Sequence, residues 1–415
     1  MKLISNWRQQ HDVVSPILYA LFGAGLTLHI FNLSFFALLI AALVRLFSKT
    51  DQLISFHQTY QSYRLLHWAM ASTLIALILT QIGHGYVDLA PYNPIARLAT
   101  FVLLLWVMVN LPAIGLRSMQ WAWIVGVVLC SVQLYFYPRN GNRPDIENWY
   151  VALAGLLGVF AVLSLAWNER PGKLTVIAHM LGGLCGMYII YVCQTRGVWM
   201  ALPLFIVMTY LTFVENALNR KNIALLVIGM VLFAGIFMNT DLARNRVQRA
   251  EQDIQIFQVD KNADTSIGVR FQLWNASWIM FKEHPLIGVG YGEHYKAALQ
   301  DMVDRKILPL NYNGAHSHNE LLYSAATMGI PGLIAMLLTY LVPGYYFGKR
   351  LLDRDRQTRA AAAMGMSVVG GFMIFGMVDV LFKYKETEVF YTVSCAVLLA
   401  FIINRKKQLV IDQAG

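Results

Sequence analysis

Four places in this 415-residue chain carry residue types suited to binding an anion or moving a proton. Arg196 stands in Gln194-Thr195-Arg196-Gly197, and Arg270 ends Thr265-Ser266-Ile267-Gly268-Val269-Arg270. His316 and His318 lie in His316-Ser317-His318-Asn319-Glu320-Leu321, and Asp379 interrupts an apolar stretch. A guanidinium offers a planar fork of donors that fits an anion, and a neutral imidazole accepts a proton near pH 7. Singly, each has a plainer reading. Arg196 could be a snorkelling anchor at a helix end. Arg270, beside Phe271, could be solvated or stacked. His318 could be a structural histidine near a helix cap. Asp379 could pair with Lys383 four residues on. Asp301 and Asp304 share a face and could hold a divalent ion, but Arg305 beside them favours a solvated surface.

His318 stands where polar chain gives way to an apolar helix. The positive end of a helix disfavours imidazolium, so a histidine there tends to be neutral. The free N–H groups of that helix end also suit a phosphate. Asn319 and Glu320 are placed to cap the helix or to orient the ring.

The elements that position these residues are membrane spans. The chain is 57% hydrophobic and 13% charged, far below the charge of a soluble domain. A span needs roughly 20 apolar residues. That length fits twelve runs: 13–31, 33–48, 65–86, 97–116, 119–137, 150–168, 174–195, 198–216, 222–239, 323–348, 360–382 and 387–403. The fold class is therefore all-α, a polytopic membrane protein of about 12 helices. One hydrophilic interruption, 240–322, contains helical periodicity over 241–258, 266–282 and 293–304. Ile267, Phe271, Trp274 and Trp278 mark one face of the second of these, and Pro285 with Gly288 and Gly290 ends it. The expected organisation is spans 1–9 over 1–239, the loop over 240–322, and spans 10–12 with a tail over 323–415, as one membrane domain.

The net charge of +10 could suggest nucleic acid, but the basic residues flank the spans. With the N-terminus cytoplasmic, 18 of the 33 Lys and Arg fall on the inner side and 6 in short outer segments. The positive-inside rule then puts both termini in the cytoplasm and the loop outside. Lys2 and Arg8 precede an apolar run that lacks a small-residue cleavage site, so it reads as a first span. The four cysteines lie in or beside apolar runs and make no metal pattern. No HExxH, Walker or GxSxG motif is present.

Together, the motifs resemble the O-antigen ligase and polymerase superfamily of bacterial glycan transferases. The resemblance rests on the four-residue run at Arg196, the six-residue run ending at Arg270, and Glu283-His284-Pro285-Leu286-Ile287-Gly288-Val289-Gly290-Tyr291-Gly292. It rests also on the histidine run and on Met328-Gly329-Ile330-Pro331-Gly332-Leu333. The resemblance implies an inner-membrane enzyme with a periplasmic catalytic loop. Its donor would be a glycan on undecaprenyl diphosphate, and its acceptor a sugar of lipid A–core oligosaccharide. It implies Arg196 and Arg270 on the diphosphate, His318 as base, and direct attack with inversion. His316 is the alternative base. Asn319 and Asp379 join the binding residues. No metal and no cofactor are implied. A polymerase or a protein O-oligosaccharyltransferase of the same superfamily is the alternative, although the short ends disfavour the latter. A lipid-linked-glycan transporter is the competing class. Against it, the polar residues gather in one loop rather than at the membrane midplane.

Overall fold

Apolar runs that cannot reach water must satisfy their peptide groups internally, and in this chain they do so as helices. A computed structural model describes residues 13–47, 54–111, 113–140, 143–259, 265–308 and 316–414. Lys2, Arg8 and Lys49, counted above on the inner side, lie outside the described residues. The first half of the chain forms α1 (Val14–Ala24), α2 (Phe31–Phe47), α3 (Phe56–Ser62), α4 (Arg64–His84), α5 (Tyr92–Ala99), α6 (Phe101–Val109), α7 (Ala113–Phe136) and α8 (Asn148–Ser164). Then follow α9 (Lys173–Cys193), α10 (Arg196–Phe213), α11 (Arg220–Met238), α12 (Asp241–Val259), α13 (Ser266–Glu283) and α14 (Glu293–Asp304). The last three are α15 (Glu320–Gly348), α16 (Arg356–Phe375) and α17 (Lys385–Ala414). A two-residue antiparallel ladder, Arg139 opposite Pro144 and Asn140 opposite Arg143, joins α7 to α8.

Every predicted span falls on a helix or, for 97–116, partly on the pair α5–α6, which is bent by 41°. Among the described residues, nine helices are long and apolar enough to cross a membrane unaided, while α1 and α2 are shorter. The chain is thus a multi-pass all-α membrane protein.

One span ends earlier than its hydrophobicity suggests. The run 360–382 was expected to be continuous, but α16 stops at Phe375. Gly376 follows, and Val380 is extended at φ −113° and ψ 94°. Asp379 therefore sits in a turn rather than on a helix. The i,i+4 geometry that would have set Lys383 beside it does not arise, and no Asp379–Lys383 ion pair forms among the described residues.

The spans pack around α17, whose residues Val389, Phe390, Tyr391 and Val393 are fully buried among α2, α5, α6, α7 and α16. At the other extreme, α11 buries no residue at all. It leaves an apolar cleft of about 690 Å³ between itself and α8, α9 and α10, floored by Gly155, Gly158, Gly183 and Gly186.

The loop is locked into the bundle by a break in α15. Gly329 has φ 65° and ψ −153°, and Pro331 has no N–H to give. The carbonyls of Ala326 and Thr327 consequently lack helical partners. Val289 and Gly290 supply them, donating N–H bonds of 2.8 and 3.0 Å, while Ile330 N–H donates to Pro285 O at 2.8 Å. The fit requires glycine on both sides. A Cβ on Gly329 would stand 2.6 Å from Pro285 O, and one on Gly288 would stand 2.3 Å from the Thr327 carbonyl carbon. The Glu283–Gly292 and Met328–Leu333 motifs are thus the two halves of one joint. From it, α13 lies along α15 and buries Leu273, Ala276, Ser277 and Met280. The face named from the sequence is only partly covered: Ile267, Phe271 and Trp274 are half-buried and Trp278 is nearly half exposed.

Candidate active site

Four chain segments converge at the ends of α9, α10, α15 and α16. The first is the joint between α9 and α10. Gln194 takes a left-handed conformation (φ 53°) that ends α9, and Arg196 opens α10 one residue after Thr195. Gly197 lets the turn after α16 approach, since a Cβ there would meet Val378 Cγ2 at 2.7 Å. The second is the start of α13. Thr265 caps it by accepting from Gly268 N–H at 3.0 Å, and Arg270 follows on its first turns.

Arg196, Arg270 and Asp379 line one small cavity of about 100 Å³ with Asn148, Thr195 and Leu381. Among the described residues, neither guanidinium has a hydrogen bond or an ion pair. Burial and the neighbouring Arg196 hold the Arg270 guanidinium below its ordinary range, with Asp379 opposing them. Two guanidiniums lining one cavity outnumber its single carboxylate, and the excess positive charge suits an anionic ligand.

The third segment runs from His316 to Asn319. Ser317 Oγ donates to Asn319 O at 2.7 Å and accepts from Asn319 N–H at 3.2 Å. Asn319 Oδ1 caps α15 by accepting from Leu322 N–H at 3.1 Å, so this side chain serves the helix. His318 is forced into the left-handed region at φ 53°, a conformation that costs on the order of 1 kcal/mol for a residue with a Cβ. That twist stacks the two rings edge to face at 4.4 Å and lets His318 N–H donate to His316 Nδ1 at 3.2 Å.

The fourth is the turn after α16. Asp379 Oδ1 accepts from Val380 N–H at 2.8 Å. It lies 3.8 Å from His318 Nδ1 and 4.0 Å from His316 Nε2. Burial raises the Asp379 carboxyl, but the His318 side chain, His316 and the Val380 N–H outweigh it and hold it below its ordinary value. Burial, His318 and Lys383 push His316 down to about 3 against the pull of Asp379. At neutral pH the cluster therefore holds one carboxylate and a neutral His316.

These three side chains have ligand atoms within 4.8 Å of one another, as a metal site would. The hydrogen bonding argues for a different use. His316 Nδ1 already accepts from a backbone N–H, so its proton sits on Nε2, toward Asp379. No lone pair is left there for a cation. His318 Nδ1 is buried and has no partner besides Asp379, so its proton belongs on that side also. Its Nε2 lone pair is then free, on a ring one-quarter exposed. The arrangement is a proton acceptor oriented by a carboxylate, the logic of a base and its orienting group. The other acidic pair is a solvated surface, with Asp301 paired to Arg305 and Asp304 accepting from Gln300 Nε2 at 2.8 Å.

All six residues singled out from the sequence lie in or beside this site. Sequence reasoning missed Asn148 in the span behind the site, and it named Gly197 and Glu320 without the close approach of the first to Val378 or the contacts of the second with the turn after α16. Gly376, placed just past a helical run, was the signal that the span ended before Asp379.

Residues 181–337 match the family described as O-antigen ligase. The chain is 23% identical over 347 residues to an uncharacterized protein of Haemophilus influenzae, covering 80% of this chain and 82% of that one. It is 20% identical over 254 residues to the O-antigen ligase of Escherichia coli, covering 60% and 57% respectively. Over 127 residues it is 28% identical to the exopolysaccharide production protein ExoQ of Rhizobium meliloti, covering 29% and 28%. The matched domain contains Arg196, Arg270, His316 and His318, and Asp379 lies beyond it. These likenesses support a membrane glycosyltransferase-type enzyme of glycan assembly.

Proposed function

We propose that this chain, a member of the O-antigen ligase superfamily over residues 181–337, moves a glycan from undecaprenyl diphosphate to a sugar of lipid A–core. It does so on the periplasmic face of the inner membrane, with both termini in the cytoplasm. The observation that carries the reading is two arginines in one cavity, without a side-chain hydrogen bond or ion pair among the described residues, beside a carboxylate 3.8 Å from His318 Nδ1. In this mechanism Arg196 and Arg270 hold the donor's diphosphate. His318 Nε2 takes the proton of the acceptor hydroxyl as its oxygen attacks the anomeric carbon. A new glycosidic bond forms and the bond to the diphosphate breaks, so undecaprenyl diphosphate leaves with the electron pair and the configuration inverts. His318 requires Nδ1–H toward Asp379. The 3.8 Å separation is long for a hydrogen bond, as is common before substrate binds.

The donor's lipid has a natural place. Arg196 also lines a second cavity with Trp199, Phe237, Met238 and Val247, beside the apolar cleft under α11. A polyprenyl tail laid along that face would leave its diphosphate at the arginines.

The test is a transfer assay with purified protein, undecaprenyl-diphosphate-linked glycan and lipid A–core, with His318→Ala in parallel. Glycan on the core, abolished by the substitution, supports the ligase and its base. Chains that lengthen on the carrier, with no modified core, make it a polymerase instead. Activity in detergent without sealed vesicles removes the transporter reading. Activity that survives in His318→Ala moves the base elsewhere, with His316 tested next.

A further inference from the structure

We infer that Glu320 is a positioning residue, which ties the turn carrying Asp379 to the segment carrying His316 and His318. An acid in the first turn of a helix ordinarily faces that helix's free N–H groups or solvent. Glu320 does neither and is 2% exposed. Its backbone N–H donates to Gly376 O at 2.7 Å, and its Oε2 accepts from Phe382 N–H at 3.0 Å. One residue thus holds both ends of the stretch 376–382, with Asp379 midway between. Gly376 is part of the same joint. A Cβ there would stand 3.1 Å from Glu320 Cβ and 3.0 Å from the Tyr340 hydroxyl, closer than side chains normally pack. On the other side, the two bonds between Ser317 and Asn319 bracket His318 and stiffen Asn319, the one residue between His318 and Glu320.

A carboxyl group is costly to bury, and a cap alone would be met at the surface, where Asn319 already provides it. What the buried position provides is a short, rigid path between the two segments that face each other at 3.8 and 4.0 Å. The inference rests on reading His318 as the base and Asp379 as its orienting carboxylate.

The test has one readout that needs no turnover. His318 is titrated by histidine-selective nitrogen NMR in detergent, with the neutral His316 and the basic Arg270 and Lys383 unchanged. A carboxylate within about 4–6 Å favours imidazolium. Glu320→Ala should therefore lower the His318 midpoint by about half a pH unit or more, in the direction of Asp379→Asn, while Glu320→Gln, which keeps the accepting oxygen, stays near wild type. Transfer should fall about tenfold in kcat with donor KM within about twofold, and Glu320→Ala added to Asp379→Asn should cost little more. A His318 midpoint that does not move, or losses that multiply in full, overturns the inference. If Glu320→Ala fails to fold, Gly376→Ala crowds the same joint and must lower the midpoint likewise; an unmoved midpoint there overturns it too. Turnover in His318→Ala would instead remove the base reading, independently of this result.

Discussion

The two halves of the site are built on opposite principles. On one side, His316, His318 and Asp379 are held by backbone bonds, a left-handed residue and a shared carboxylate. On the other, Arg196 and Arg270 share a cavity and, among the described residues, make no side-chain hydrogen bond or ion pair. A group that must accept a proton has to be held in one tautomer and one direction, which other groups must enforce. A group that must receive an anion is weakened by any carboxylate that occupies it first. Asp379, at the boundary, serves both: it faces the histidines and it lines the arginine cavity.

The contrast can be broken at several points. The largest effect should come from the oriented half. His318→Ala should lower kcat by about 10²–10⁴-fold with donor KM little changed, since the ring acts on the acceptor's proton. A matching rise in donor KM would place the ring on the diphosphate instead and erase the distinction. Next is Arg270→Ala, expected to reduce turnover about 10²–10³-fold, the loss typical of one preorganised donor to a developing charge. Here donor KM should rise as well, and near-normal kinetics would leave the cavity without its ligand. Arg196→Lys keeps the charge and loses the fork, so an intermediate loss of roughly tenfold is expected. Equal activity would show that a point charge suffices. A chelator should leave turnover within about twofold. A loss restored by Mg²⁺ or Mn²⁺ would turn His316, His318 and Asp379 into ligands, against the hydrogen bond at His316 Nδ1.

The smallest effect concerns stability. The folded value of about 3 for His316 lies below its ordinary 6.5. Between these limits the unfolded chain binds a proton that the folded protein does not, so stability falls as pH drops through that window. The slope contributed by this ring is on the order of 1 kcal/mol per pH unit at most. His316→Asn should flatten the melting temperature between pH 6.5 and pH 4, and an unchanged slope would mean that His316 is protonated in the folded state.

Much of the fold was legible because bilayer thickness sets the length of an apolar run. The loop helices were legible too, and the bounds expected from periodicity agree with α12, α13 and α14 to within a residue. The end of α16 was not, because Met377, Val378, Val380, Leu381 and Phe382 continue the hydrophobicity past the last helical residue. Hydropathy reports depth in the membrane and is silent on backbone conformation. The ion pair expected for Asp379 failed with the helix that it presupposed. Periodicity found a face on α13 but not its environment: the core took Leu273 and Met280, while Phe271 and Trp274 are half-buried and Trp278 is exposed. In the site, the residue types were readable and the proton positions were not. Those depend on a backbone bond that exists only with His318 at positive φ.

The place of α17 in the chain bears on how the molecule is made. Among the described helices it comes last in sequence, yet it is the one that α2, α5, α6, α7 and α16 pack around. During synthesis, at about 5–20 residues per second, all the earlier spans enter the membrane before their common axis exists. Until then the surfaces meant for Val389, Phe390 and Tyr391 face lipid and any helix that drifts past. A chain that stops short of residue 385 would keep the α8–α9, α10–α16 and α4–α15 pairings but lack the helix that closes α2, α5, α6 and α7 against α16.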